Sequence, residues 1–189
     1  DAIFAAREAL AAAIAAANRD AFLELYAAMK GGKTFSPDAT SAGRRALRNT
    51  LLDYLAAGSG DPALASKQFS SATNMTDRSA ALSVLAHRHT GTAEAKKALA
   101  AFETRYRTDA LVLDKWFQIQ AATPGRQSVE AVAALTRHPA YSIANPNRVR
   151  SLIGTFSSAN QTGFHRADGA GYALFADTVL NVEKRNPQI

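Results

Sequence analysis

The sequence predicts an all-α protein, a curved stack of antiparallel helix pairs of the α-solenoid, HEAT/ARM-like type, and three observations point there. All six prolines fall at predicted helix boundaries. No stretch keeps a two-residue apolar alternation, and the Asn-Gly hairpin signal is absent. Helix starts recur about every 15 to 20 residues, so helix pairs recur about every 35 to 40, the spacing of stacked helical repeats. No repeated motif accompanies that spacing. The length of 189 residues suits one helical domain spanning residues 1–189.

The first 17 residues are dominated by alanine, the strongest intrinsic helix former, with Ile3, Leu10 and Ile14 as the large apolar points. Asn18-Arg19-Asp20 interrupts this helix. Phe22, Leu25, Tyr26 and Met29 then repeat at i, i+3, i+4 and i+7 until Gly31-Gly32, so the first two helices are expected to form an antiparallel pair. Ser36-Pro37 opens a third helix with Leu47, Leu51, Tyr54 and Leu55 on one face and Arg44, Arg45 and Arg48 mostly elsewhere, and Gly58-Ser59-Gly60 ends it. Asp61-Pro62 gives a cap-then-proline start for a short helix holding Leu64, Gln68 and Phe69.

Thr76 is placed to cap the segment containing Leu82 and Leu85, and Thr92 to cap another in which Ala95, Leu99, Phe102 and Tyr106 share a face. After Thr108, Val112, Trp116 and Ile119 line one side, with Trp116 as a core anchor, until Thr123-Pro124-Gly125 breaks the helix. Ser128 is expected to cap a helix with Val132 and Leu135 inward, ended by His138-Pro139.

The stretch from Asn145 to Pro187 carries more polar and glycine detail than packing alone requires. Asn145 is placed as a cap and Pro146 in the first turn, where a missing N–H costs nothing. Val149, Ile153 and Phe156, widened by Leu152, form a buried stripe. Gly154 in mid-helix is expected to mark a close helix contact, since glycine there otherwise costs ~1 kcal/mol relative to alanine. Asp168-Gly169-Ala170-Gly171 opens a last helix with Tyr172, Phe175, Val179 and Val182 on one side, closed by Asn186-Pro187. A polar loop with His165, Arg166 and Asp168 lies between the two. Arg148 and Arg150 sit in the first turns of a helix whose amino end already carries partial positive charge. Something must compensate them: Asp168 or another carboxylate on one reading, an anionic ligand or partner surface on the other.

The net charge of +6 favours anionic partners. Arg44, Arg45, Arg48, Lys96, Lys97, Arg105 and Arg107 are nevertheless spread over several segments and not interleaved with a row of aromatics, so no nucleic acid is expected. With no cysteine there is no disulfide framework. No apolar run is long enough to span a membrane, and the first 17 residues, holding Asp1, Arg7 and Glu8, do not read as a signal peptide; a soluble protein is expected. The first residue is not methionine and the last helix signal stops abruptly at Ile189, which suggests a piece of a longer polypeptide.

Catalytic signatures are missing from the sequence. The histidines are His87, His89, His138 and His165, with no HExxH, and two residues of separation puts His87 and His89 on different helix faces; no metal site is expected. There is no Gly-x-Ser-x-Gly elbow, and Asp168 to Gly171 lacks the strand and spacing of a dinucleotide fingerprint. No catalytic residue is assigned.

Six blocks carry a resemblance: Asn145 to Gly154 (NPNRVRSLIG), Phe164 to Tyr172 (FHRADGAGY), Arg185 to Gln188 (RNPQ), Gly43 to Asn49 (GRRALRN), Asn74 to Leu82 (NMTDRSAAL) and Leu111 to Phe117 (LVLDKWF). Taken in chain order, these blocks span most of the chain and resemble the carboxy-terminal helical domain of bacterial aminopeptidase N, a zinc metallopeptidase of the gluzincin type. The resemblance implies a superhelical domain, and the chain as a fragment of the carboxy-terminal domain of a larger enzyme. It implies no catalysis by this chain alone. Zinc and the group binding the substrate amine would lie in an absent amino-terminal portion. The implied partners are the catalytic domain of the same polypeptide and peptides held in a chamber that the two domains enclose, in the cytoplasm. Arg148, Arg150, His165, Arg166 and Asp168 are the candidate chamber-lining or peptide-contacting residues. The alternative is a free-standing helical-repeat scaffold that binds protein or nucleic acid on its concave face.

Overall fold

Side-chain caps mark where several of the helices begin. The computed structural model describes residues 1–32 and 34–185. In chain order these form α1 (Ala2–Ala17), α2 (Arg19–Ala28), α3 (Ala39–Ala56), α4 (Ala63–Ser71), α5 (Met75–Arg88), α6 (Ala93–Tyr106), α7 (Ala110–Ala121) and α8 (Ser128–Leu135). Then come α9 (Pro146–Val149), a π-helical turn (Arg150–Gly154), α10 (Thr155–Ala159), α11 (Gln161–Phe164) and α12 (Ala170–Glu183). No strand occurs among the described residues. The expected closure by Asn186-Pro187 and most of the Arg185 to Gln188 block lie outside them. No described helix is long and apolar enough to cross a membrane.

Several helix starts differ from the sequence expectation by one or two residues. Asn74, not Thr76, caps α5 by accepting from Asp77 N at 2.9 Å. Asp109 caps α7 through Leu111 N and Val112 N, both at 3.1 Å. Asp38, beyond Ser36-Pro37, caps α3 through Ser41 N at 2.9 Å. Ser128 is no cap; its hydroxyl donates back to Gly125 O at 2.7 Å.

The chain divides into two compact units, Ala2–Ala100 and a second that begins at Ala101 and includes Asp1. In the first unit α2 packs chiefly on α3, not on α1 as the pairing argument expected. The cause is aromatic: Phe22 meets Tyr54 edge-on at 5.9 Å, and the Arg48 guanidinium lies over the Tyr26 ring at 4.4 Å. Alanine-rich α1 buries only Ala15 fully, leaving Ile3 and Leu10 exposed, so its helicity rests largely on intrinsic propensity. Leu47, expected inward on α3, is exposed, while Leu51, Leu52 and Leu55 are buried. Arg88 on α5 ties the unit laterally, donating to Asp53 at 2.9 Å on α3 and pairing with Glu8 on α1.

In the second unit α7 packs on the π-helical turn and α10, and α12 packs on α8 and α11. Phe117, Val132, Leu152 and Phe156 are wholly buried. Trp116 is 6% exposed, with ring centres 5.0 Å from Phe117 and 5.1 Å from His138. Replacing a ring so placed leaves a cavity that neighbours only partly refill. Trp116→Ala is expected to lower stability by roughly 3 to 5 kcal/mol in urea titrations of the chain; a loss below ~0.5 kcal/mol would contradict the packing role.

Candidate functional site

The residues singled out between Asn145 and Glu183 all belong to the second unit, and the helix start at Asn145 fixes their frame. Asn145 accepts from Asn147 N at 3.0 Å and Arg148 N at 3.3 Å, and Pro146 fills the first turn. The two arginines then part company. Arg148 is buried, only 4% exposed, with its guanidinium 4.9 Å over the Phe117 ring and Nη2 donating to Ala110 O at 3.4 Å. Its Nε lies 3.3 Å from Asp114 Oδ1, an ion-pair distance, though off-line for a hydrogen bond. Ser151 adds its hydroxyl, 3.2 Å from Asp114 and 3.0 Å from Arg148 O.

Arg150 is exposed, and no carboxylate pairs with it among the described residues. It lines a groove of about 460 Å³ between the π-helical turn and α12, with Val149, Ile153, Phe175 and Val179 among the apolar walls. Gly154 borders the same groove. The expected close helix contact is absent there, since a Cβ on Gly154 would meet nothing nearer than Arg150 Cβ at 3.8 Å. Its position at the end of the π-helical turn leaves it facing open space. The α12 side carrying Tyr172, Phe175 and Val179 is likewise more exposed than an apolar stripe implies, at 52%, 36% and 47%. The reason is positional: α12 rests on α8 and α11 through Gly171 and Thr178, which are buried.

The polar loop is held by its own contacts. Asp168 does not reach Arg150; it binds Arg166, two residues away, through two contacts of 2.9 Å, and accepts from Ala170 N at 3.1 Å. Arg166 also donates to Glu130 Oε1 at 2.6 Å and Arg126 O at 2.8 Å, fastening the loop to α8. The Arg166 hydrogen bond is the main reason that Asp168 and Glu130 each titrate below the usual carboxylate range, and the two carboxylates hold the Arg166 pKa above its ordinary value. His165 Nδ1 lies 2.6 Å from the Tyr172 hydroxyl, beside the Phe164 ring.

Beneath the loop stand residues that sequence reasoning passed over. Asn160 is 1% exposed; its Nδ2 points at Ala121 O (2.9 Å), Thr123 O (2.6 Å) and Ser128 Oγ (3.0 Å), while its Oδ1 accepts from Gly163 N at 3.0 Å. A Cβ on Gly163 would stand 1.9 Å from Ser128 Oγ, and one on Gly171 would stand 2.2 Å from Phe164 O. Both glycines are therefore fixed by lack of space. The Asn160-to-Gly163 spacing is a readable cap signal; the space requirement is not, because it comes from other elements.

Among the described residues no group of three or more metal-ligating side chains comes together. The whole chain, residues 1–189, matches a family described as a domain of unknown function, DUF3458_C, with ARM repeats. The chain belongs to this ARM-repeat family. Its helices are thus those of an ARM-like solenoid, as the sequence predicted. The DUF3458_C chain is 42% identical to aminopeptidase N of Caulobacter vibrioides over 188 residues, 98% of the chain and 22% of that protein. It is 36% identical to aminopeptidase N of Escherichia coli over 190 residues, 100% of the chain and 22% of that protein. A crystal structure of Legionella pneumophila aminopeptidase A in complex with aspartic acid superposes with a TM-score of 0.85 at 30% identity, over 96% of this chain and 22% of that one. The DUF3458_C domain thus spans about a fifth of the length of these relatives and matches one region of aminopeptidases.

Two outcomes are expected from the site geometry. Asp114→Ala would strand the buried Arg148 and cost on the order of 3 to 5 kcal/mol, whereas Arg150→Ala would stay within ~0.5 kcal/mol, both read by urea denaturation. Equal effects would refute the division between the arginines. The folded pKa values of Asp168 and Glu130 lie below their ordinary 3.8 and 4.5, so the stability they lend is present above those values and lost as pH falls through the folded ones. Carbon-13 NMR of the side-chain carboxyls should show both titrating below these values, and Arg166→Gln should return them upward; midpoints unmoved by Arg166→Gln would remove Arg166 as the cause.

Proposed function

We propose that this chain is a non-catalytic carboxy-terminal helical domain of a zinc aminopeptidase that removes amino-terminal residues from peptides in the cytoplasm. On this reading it caps the catalytic domain and helps enclose the chamber that peptides enter. One observation carries the reading: proteins called aminopeptidase N match 98% to 100% of the chain at 36% to 42% identity, while the chain accounts for only 21% to 22% of each.

The zinc that such an activity implies finds no ligand set among the described residues, and no chemical step is assigned to this chain. Its contribution would be steric and electrostatic. A helical wall admits an extended peptide and rejects a folded protein, and a cation on that wall attracts carboxylates. Arg150 and His165, whose side chains are exposed, are the proposed peptide-facing residues. Arg166 and Asp168 would present the loop through their mutual pair, and Arg148 would support the helix from within. Phe175, Val179 and Leu180, apolar yet exposed on α12, support a contact with the rest of the parent polypeptide.

In the longer polypeptide containing this chain, Arg150→Ala should raise KM for peptides with little change in kcat, more at low salt than at high salt. The chain by itself should not hydrolyse amino-acid anilides with or without zinc. Chelator-sensitive turnover by the purified chain would overturn the non-catalytic assignment, and a KM unchanged at every salt concentration would remove Arg150 from the chamber.

A further inference from the structure

His89 ends α5 in the first unit and is 4% exposed. Its Nε2 is buried and has no hydrogen-bond partner among the described residues. Beside it lies a cavity of about 40 Å³, lined by His89, by Arg19, Ser59 and Asp61, and for the rest by apolar side chains such as Leu52 and Leu55. We infer that this cavity holds one buried water, which is the hydrogen-bond partner of His89 Nε2 and ties the end of α5 to the loop between α3 and α4.

Size and chemistry both suit that occupant. A water needs roughly 10 to 15 Å³ of accessible volume, so the space of about 40 Å³ is large enough to hold one. A buried water is retained where two to four polar groups surround it, and here His89, Ser59, Asp61 and Arg19 are the polar residues bordering the space. Ser59 and Asp61 are already set by local bonds: Asp61 N donates to Ser59 Oγ at 3.2 Å and Ala63 N to Asp61 Oδ1 at 2.9 Å, leaving lone pairs for a bridging donor.

Burial lowers the His89 pKa, with Arg88 acting in the same direction and Asp61 and Glu94 opposing, so the ring is held towards its neutral form. A neutral ring presents Nε2 as donor or acceptor according to tautomer, and water can answer either. An ammonium ion only donates, and it would stand beside Arg19 and near Arg88.

A high-resolution crystal structure of the 189-residue chain, grown both with and without ammonium salts, provides the test. One density peak about 2.7 to 3.2 Å from Nε2 is expected in both conditions, and it should vanish in His89→Leu. In solution, His89 ring protons should show a cross-relaxation signal to a long-lived water. The inference is overturned by a cavity empty of density, by a ring turned so that a protein atom meets Nε2, by a peak seen only with ammonium, or by a peak that survives His89→Leu. If His89→Leu does not fold, the wild-type density and the water signal decide between the same outcomes.

Discussion

A buried carboxamide holds each unit together, and the obligation to satisfy it organises the helices around it. An amide side chain brings two N–H donors and an acceptor into a region where each costs free energy if unpaired. Gln68, 2% exposed, answers by drawing on three helices. Its Oε1 accepts from Tyr26 on α2, and its Nε2 donates to Asn49 Oδ1 on α3 and to Asp77 O on α5. Asp77 in turn receives Asn49 and Asn74. Asn160 does the same in the second unit, joining the end of α7, the start of α8 and the first turn of α11. Apolar burial supplies most of the driving force, but these networks specify which turn of one helix meets which turn of the next.

Five of the six sequence blocks behind the family resemblance lie within the described residues, and they supply many of these constraints. Gly43 to Asn49 and Asn74 to Leu82 supply Arg48, Asn49, Asn74 and Asp77 to the first network. Leu111 to Phe117 and Asn145 to Gly154 supply Asp114, Phe117, Arg148 and Ser151. Phe164 to Tyr172 supplies the loop whose arginine is shared by Asp168 and Glu130. Many of these polar side chains wire the fold, and of the candidates Arg150, His165 and Asp168 are exposed.

The helical class, the proline boundaries and the inward stripe of Leu152, Ile153 and Phe156 were legible because each depends on near neighbours in the chain. Less legible were features set by distant residues. Arg148 and Arg150 read as equivalents, yet one meets Asp114 on α7 and the other an open groove. Gly154 read as a close contact while Gly163 and Gly171, which have no room for a side chain, drew no notice. The exposure of Tyr172, Phe175 and Val179 was equally hidden, because period alone tells which residues share a face and not whether another element covers it.

The π-helical turn from Arg150 to Gly154 was not foreseen either, and it sets the phase of everything after it. A π turn accommodates one residue more than an α turn would, so the helix leaves it rotated by about 100° relative to an uninterrupted α-helix. Loss of a single codon inside this turn could be absorbed as ordinary α-helix with no broken backbone bond. Because the extra residue is taken up within the turn, Phe156 would keep its place in the core and Asn160 its reach to the carbonyls of Ala121 and Thr123. A one-residue deletion in a regular α-helix such as α7, where no extra residue is stored, would instead rotate everything after it by about 100°.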